Sequence, residues 1–252
     1  MKKLIATATV ALSLAITGVS AKVIATVNGY TITQKEADRL LKVLTKGKVK
    51  YSQLKPNEKR EIAKRLAIDK IVISTAKRSL SQKEKKFVLA NAYLAKKIRG
   101  VKVSDKEARR VYNANKKFFT KKGKLTPYKK VKNIIKIQLK QKKVIDRLAK
   151  KSKKKFKSNQ DVFNFVANYA KRHLTRDEQN FVLANAWMAK KIKNIKVSNA
   201  EVKKAYEQNK ALFKKNGKIV PYSKVKNIIK MQLKQKKVID RLMKNAKIKL
   251  KA

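Results

Sequence analysis

The chain has 252 residues with 70 basic and 15 acidic side chains, a formal net charge of +55 at pH 7. Hydrophobic residues make up 43% of it and cysteine is absent. This composition excludes a disordered polyelectrolyte, a disulfide scaffold, thiolate chemistry and Cys-based metal sites.

Met1-Lys2-Lys3 is a positive n-region, Leu4 to Val19 is apolar and rich in small residues, and Val19-Ser20-Ala21 ends in a small-residue cleavage pattern. The apolar run is short against the about 20 residues of a spanning helix. Residues 1–21 therefore read as a cleavable signal peptide and the protein as periplasmic, with an uncleaved anchor as the alternative. Lys22 to Val27 is β-prone, Asn28-Gly29 is a two-residue hairpin signal, and Tyr30 to Ile32 is the return strand. Thr33 and Glu36 form a capping box for a helix that ends near Gly47. Pro56 opens the next helix, which is apolar over much of its girth and includes Asp69. Further helices are expected from Ser81 to Ile98, from the Ser104/Glu107 capping box through Phe119, and from Pro127 to about Lys150. Between the last two lies the loop Lys121–Thr126. A basic linker, Lys150–Lys155, leads into a helix carrying Val162, Phe163, Val166 and Ala170.

From Phe181 the chain repeats itself. Phe87–Leu148 returns as Phe181–Leu242 without a gap, at an offset of 181 − 87 = 94, and about two thirds of the positions are identical. The second copy keeps the capping box at Ser198 and Glu201 and ends in an alternating tail, Ala246–Lys251, which should pair with the strand Val23–Val27. The expected fold is mainly α: a helical bundle of two repeated modules, 22–150 and 151–252, with a small β-sheet formed by the N- and C-terminal strands.

Candidate chemistry is sparse. The single His173 stands alone where the first copy has Ser79. The acidic residues are scattered or serve as caps, and Asp146-Arg147 and Asp240-Arg241 are neighbours that point apart on a helix. No phosphate-binding glycine loop or metal-ligand spacing occurs, so no catalytic residue, metal or cofactor is assigned. The aromatic and Met positions offer more: Tyr93-Leu94 becomes Trp187-Met188, Tyr112 recurs as Tyr206, and Phe119 as Phe213. Such residues at helical spacing either fill a core or line an adaptable peptide groove, and spacing does not decide between them.

The opening residues 22–41, KVIATVNGYTITQKEADRLL, resemble the start of the SurA/PrsA-type periplasmic foldases. Residues 184–213, ANAWMAKKIKNIKVSNAEVKKAYEQNKALF, are similar to the family segment that leads into a parvulin prolyl-isomerase domain, and residues 221–252 to the helix and strand that follow it. Only a handful of residues stand between Phe119 and Pro127, and between Phe213 and Pro221, where that family carries its parvulin domain of about 90–100 residues. The resemblance thus implies a chaperone lacking the isomerase, with its helical middle duplicated, that holds unfolded outer-membrane or secreted polypeptides in an apolar cleft. Candidate peptide-binding residues are Tyr93, Leu94, Tyr112, Phe119, Trp187, Met188, Tyr206 and Phe213. The alternatives are a basic protein for polyanions, nucleic acid or the anionic membrane surface, and a member of that family with residual prolyl-isomerase activity. The basic residues are mostly Lys rather than the Arg of base readers, so no specific nucleic acid is expected. Homodimerisation by exchange of terminal strands is left open.

Overall fold

The computed structural model describes residues 22–251 apart from 122, 216 and 217. The expected signal peptide, 1–21, lies outside the described residues. The chain opens with β1 (Val23–Val27) and β2 (Tyr30–Thr33), joined through Asn28 and Gly29 at φ 47° and 81°. Positive φ at both turn residues is the hairpin geometry that Asn-Gly favours. Helix α1 (Gln34–Thr45) starts on the expected capping box: Glu36 N–H donates to Thr33 Oγ1, and Thr33 N–H donates to Glu36 Oε2. Helix α2 (Pro56–Ser79) follows.

The next stretch holds α3 (Gln82–Lys97), α4 (Asp105–Ala114), the two-residue strands β3 (Thr120–Lys121) and β4 (Lys124–Leu125), α5 (Tyr128–Lys151) and α6 (Asn159–His173). The repeat then supplies α7 (Arg176–Ile192), α8 (Asn199–Gln208), β5 (Lys214–Lys215), β6 (Lys218–Ile219) and α9 (Tyr222–Lys244), and β7 (Ile248–Leu250) closes the chain. The fold is mainly helical with one small antiparallel sheet of order β2-β1-β7, in which Val27 faces Ile248 and Ala25 faces Leu250. The expected pairing of the terminal strands is observed.

Two details differ from the sequence reading. The loop at 121–126 and its copy are β-hairpins, with Gly123 at φ 74° in the first turn. The compact units also do not divide at 150/151. One unit is Gln82–Thr175, and the other joins the chain up to Ser81 with the chain from Arg176 onward. The reason is where the lead helices pack. Helix α6, which by sequence leads into the second copy, packs on α3 of the first; α2, which leads into the first copy, packs on α7 of the second.

Each unit has its own core. In the discontinuous unit, Ile24, Val27 and Ile32 of the sheet meet Leu40 of α1 and Leu66, Ala67 and Ile71 of α2. In the inserted unit, Ala90 and Leu94 of α3 pack with Val144 of α5 and Val166 and Ala167 of α6. A second cluster there gathers Ala108 and Tyr112 of α4 with Ile135 of α5.

Candidate functional site

The eight residues expected to line a peptide groove sit in the packing. Tyr93, Leu94, Trp187, Met188, Tyr112 and Tyr206 are all buried, Trp187 to 2% exposure. Phe119 and Phe213 are half-buried. As packed, the six buried side chains offer no surface to an extended polypeptide, which corrects the groove reading. Tyr93 lies against Tyr169, ring centroids 5.6 Å apart. Tyr112 and Tyr206 play the same structural part in the two copies, their hydroxyls donating to the carbonyls of Thr126 and Val220, each at 2.8 Å. Phe119 and Tyr128 flank Tyr112, and Phe213 and Tyr222 flank Tyr206. Each aromatic trio thereby clamps the end of its hairpin onto the helices that flank it.

The apolar surface lies elsewhere. Ile134 and Ile137 on α5 are exposed, and so are their counterparts Ile228 and Met231 on α9; Ile134 shows 57% of its surface and Ile228 55%. At i,i+3 the two members of each pair share a helix face. Phe118 and Leu125 at the first hairpin are exposed, as are Leu212 and Ile219 at the second. Every one of these positions is apolar in both copies. Sequence reasoning singled out none of them as surface residues. The signal that could have found them is Ile134, Ile135 and Ile137 crowded within one turn, more apolar residues than one stripe can bury.

Retention across the repeat is also uneven. From Tyr128 to Leu148 only Lys129 and Ile137 differ from the second copy, where Ser223 and Met231 stand, whereas α4 and α8 differ at most positions. Yet α5 buries only Ile135 and Val144 fully, and α9 only Val225, Ile229 and Val238. Core packing constrains those few positions and leaves the near-identity of the outward faces to be explained by what they contact.

No family model, curated protein or solved structure matches this chain. The likeness to SurA-type proteins therefore rests on the quoted motifs.

The electrostatics of the surface are one-sided. Seventy bases against fifteen acids leave at least 70 − 15 = 55 bases without an acid of their own. The acids of both repeats are spent on helix ends and neighbouring turns. Asp105 meets Lys132, Lys136 and Arg109, and these contacts, Lys132 first, hold its carboxyl well below the usual range. Glu107 and Glu201 cap α4 and α8, pair with Lys143 and Lys237, and are held down to about 2 chiefly by those lysines. Asp146 and Asp240 pair with Lys142 and Lys236 one turn back, as separate surface pairs. His173 stacks on Tyr169 at 3.8 Å, and its Nδ1 lies 2.8 Å from the Tyr169 carbonyl. A carbonyl only accepts, so Nδ1 carries the proton there. Among the described residues, no three His, Asp or Glu side chains gather as a metal site, and no helix is long and apolar enough to cross a membrane.

Proposed function

We propose that the protein is an exported, non-catalytic chaperone that holds unfolded outer-membrane or secreted polypeptide on the outward faces of α5 and α9. The observation that carries this reading is the retention, in both copies, of an exposed apolar pair set among lysines on helices whose outward faces no core constrains. Covering one such half-exposed side chain stabilises a complex by about 1 kcal/mol. Contacts of that size hold a chain loosely and release it. The surrounding lysines draw in acidic stretches and speed encounter. They also keep neighbouring apolar pairs from associating with one another. Met231 in place of Ile137 suits a surface that must accept many sequences. The quoted motifs support export and the choice of client, and the buried Tyr93 and Trp187 are left to stability.

The test is suppression of aggregation of an unfolded membrane-barrel client, followed by light scattering. A variant carrying Ile134→Lys, Ile137→Lys, Ile228→Lys and Met231→Lys should keep its helical circular dichroism and lose most of its protection. Undiminished protection by that folded variant would overturn the assignment of the surface, and no protection by the wild type would overturn the function. The charge excess favours a second reading, a binder of polyanions. It predicts affinity for nucleic acid or anionic vesicles whose logarithm falls steeply with the logarithm of salt.

A further inference from the structure

The helix pair α2–α7 and its counterpart α6–α3 differ in what lies between the helices. In the discontinuous unit a cleft of about 240 Å³ opens between α2 and α7. Its wall includes Leu66, Ile73 and Tyr30. Lys77, Arg78 and Arg176 stand around it, all exposed. Lys70 also lines it and is already paired, 2.6 Å from Glu36. Partial burial of its inner end, then Arg176 and Lys70, push the Lys77 ammonium down.

Two buried polar residues line the same cleft. Asp69 is 6% exposed and Asn180 8%. Asp69 Oδ2 and Asn180 Oδ1 have no hydrogen-bond partner. Unpaired buried acceptors are costly, and natural folds keep few of them. The terminal torsions of Asp and Asn are broad, so a small rotation turns either oxygen toward an occupant of the cleft.

The inserted unit builds the corresponding helix pair, α6 on α3, with Phe163 at the position of Asp69, Lys86 at that of Asn180 and Gln82 at that of Arg176. Phe163 packs into the hydrophobic cluster of that unit. One copy thus fills the floor with a ring, while the other keeps two unpaired acceptors beneath a group of cations.

We propose that the α2–α7 cleft binds an acylated α-amino acid carboxylate, the group found at the C-terminus of a polypeptide. The carboxylate meets Arg176, Arg78 and Lys77, where guanidinium forks suit its two oxygens. The amide N–H next to it is a donor for one of the two unpaired oxygens, that of Asn180 or of Asp69. The side chain of the terminal residue lies on Leu66, Ile73 and Tyr30. An inorganic anion would answer the cations and leave the acceptors unpaired. This site is separate from the faces of α5 and α9, and either stands if the other falls.

The test is calorimetric titration of the mature chain in 0.15 M salt, a concentration at which exposed charges are screened over about 8 Å. The probe is acetyl-Ala-Ala-Leu with a free carboxylate. Its C-terminal amide, and acetyl-Ala-Glu-Leu amide, which has the same charge but no terminal carboxylate, should bind at least tenfold more weakly. Arg176→Gln and Asp69→Phe, each the residue of the sister unit, should weaken the free acid by a similar factor. Arg176 is exposed, so its variant stays informative if Asp69→Phe perturbs the fold. N-acetyl-leucine separates the sources: affinity equal to the tripeptide marks a single acylated residue as the ligand, and much weaker affinity marks a chain end. Equal binding of the Glu-containing amide, or unchanged affinity in folded Arg176→Gln, would overturn the proposal.

Discussion

Replacing Asp69 with Asn should make the protein more stable, and by an amount that depends on pH. Asp69 lies almost fully buried on α2 with Oδ2 unpaired. Burial pushes its carboxyl up to about 7 from 3.8, against the pull of Arg65. In the unfolded chain the group ionises near pH 4. Between about pH 4 and 7 the folded protein therefore holds a proton that the unfolded chain gives up, so stability falls as pH rises through this window. A shift of about 3 units corresponds to about 4 kcal/mol, all of it lost above pH 7. Asn has the same shape and no charge to desolvate. Urea denaturation followed by far-ultraviolet circular dichroism should give near-equal stability for the two proteins at pH 4, with the variant gaining progressively and leading by up to about 4 kcal/mol at pH 8. Every other carboxylate is common to both, so the difference isolates Asp69. Parallel stability curves from pH 4 to 8 would refute the argument.

Tyr206→Phe removes a buried hydroxyl and leaves the Val220 carbonyl unpaired; it should cost about 1 kcal/mol, with faster hydrogen exchange at β5 and β6 while exchange in α2 is unchanged. Trp187→Ala should cost about 3–5 kcal/mol, read as a lowered urea midpoint; a cost under about 1 kcal/mol would mean that the side chain is exposed rather than core. Glu107 and Glu201, with their folded-state values depressed to about 2, contribute stability that is present above about pH 4.5 and lost as pH falls toward 2; Glu107→Gln should flatten that acid limb. Deleting residues 82–175 joins Ser81 to Arg176 and should leave a folded, helical protein, because Lys77 and Arg78 near the end of α2 already share a cleft with Arg176 at the start of α7. An aggregated or unfolded product would show that this unit depends on the insert.

Where information is local, it could be read from the chain. The Asn28-Gly29 turn and the capping boxes at Thr33, Ser104 and Ser198 each depend on a few adjacent residues, and all are present. The strand Ile248–Leu250 was readable because its alternation survives in the second copy alone. The hairpins after Phe119 and Phe213 were not, because strands of two residues carry no periodicity. The groove failed for another reason. Helical spacing puts Tyr93 and Trp187 on one face but does not say whether that face meets another helix; the partner of Tyr93, Tyr169, comes from α6. Along the chain Asp69 is one more member of an apolar helix, and its isolation depends on α7, more than a hundred residues on.

The choice of packing partner for the lead helices is where the two copies cease to be equivalent. With α6 on α3 and α2 on α7, each repeat is completed by the lead helix that belongs, by sequence, to the other. A tandem duplication in which each lead helix folded on its own copy would give two units in series. Here the sequence of one unit is instead inserted into that of the other, and only the interrupted unit carries the terminal sheet. The inserted unit is relieved of closing the chain and has filled its floor with Phe163. The interrupted unit keeps Asp69 at a cost in stability, while both retain the outward faces of α5 and α9 almost unchanged. Constancy along the outward faces of α5 and α9, while the exposed positions of α4 and α8 diverge, is more than packing alone would select, since surfaces tolerate substitution most. It is the pattern expected when the shared surface serves one purpose twice and a single interior position has acquired another.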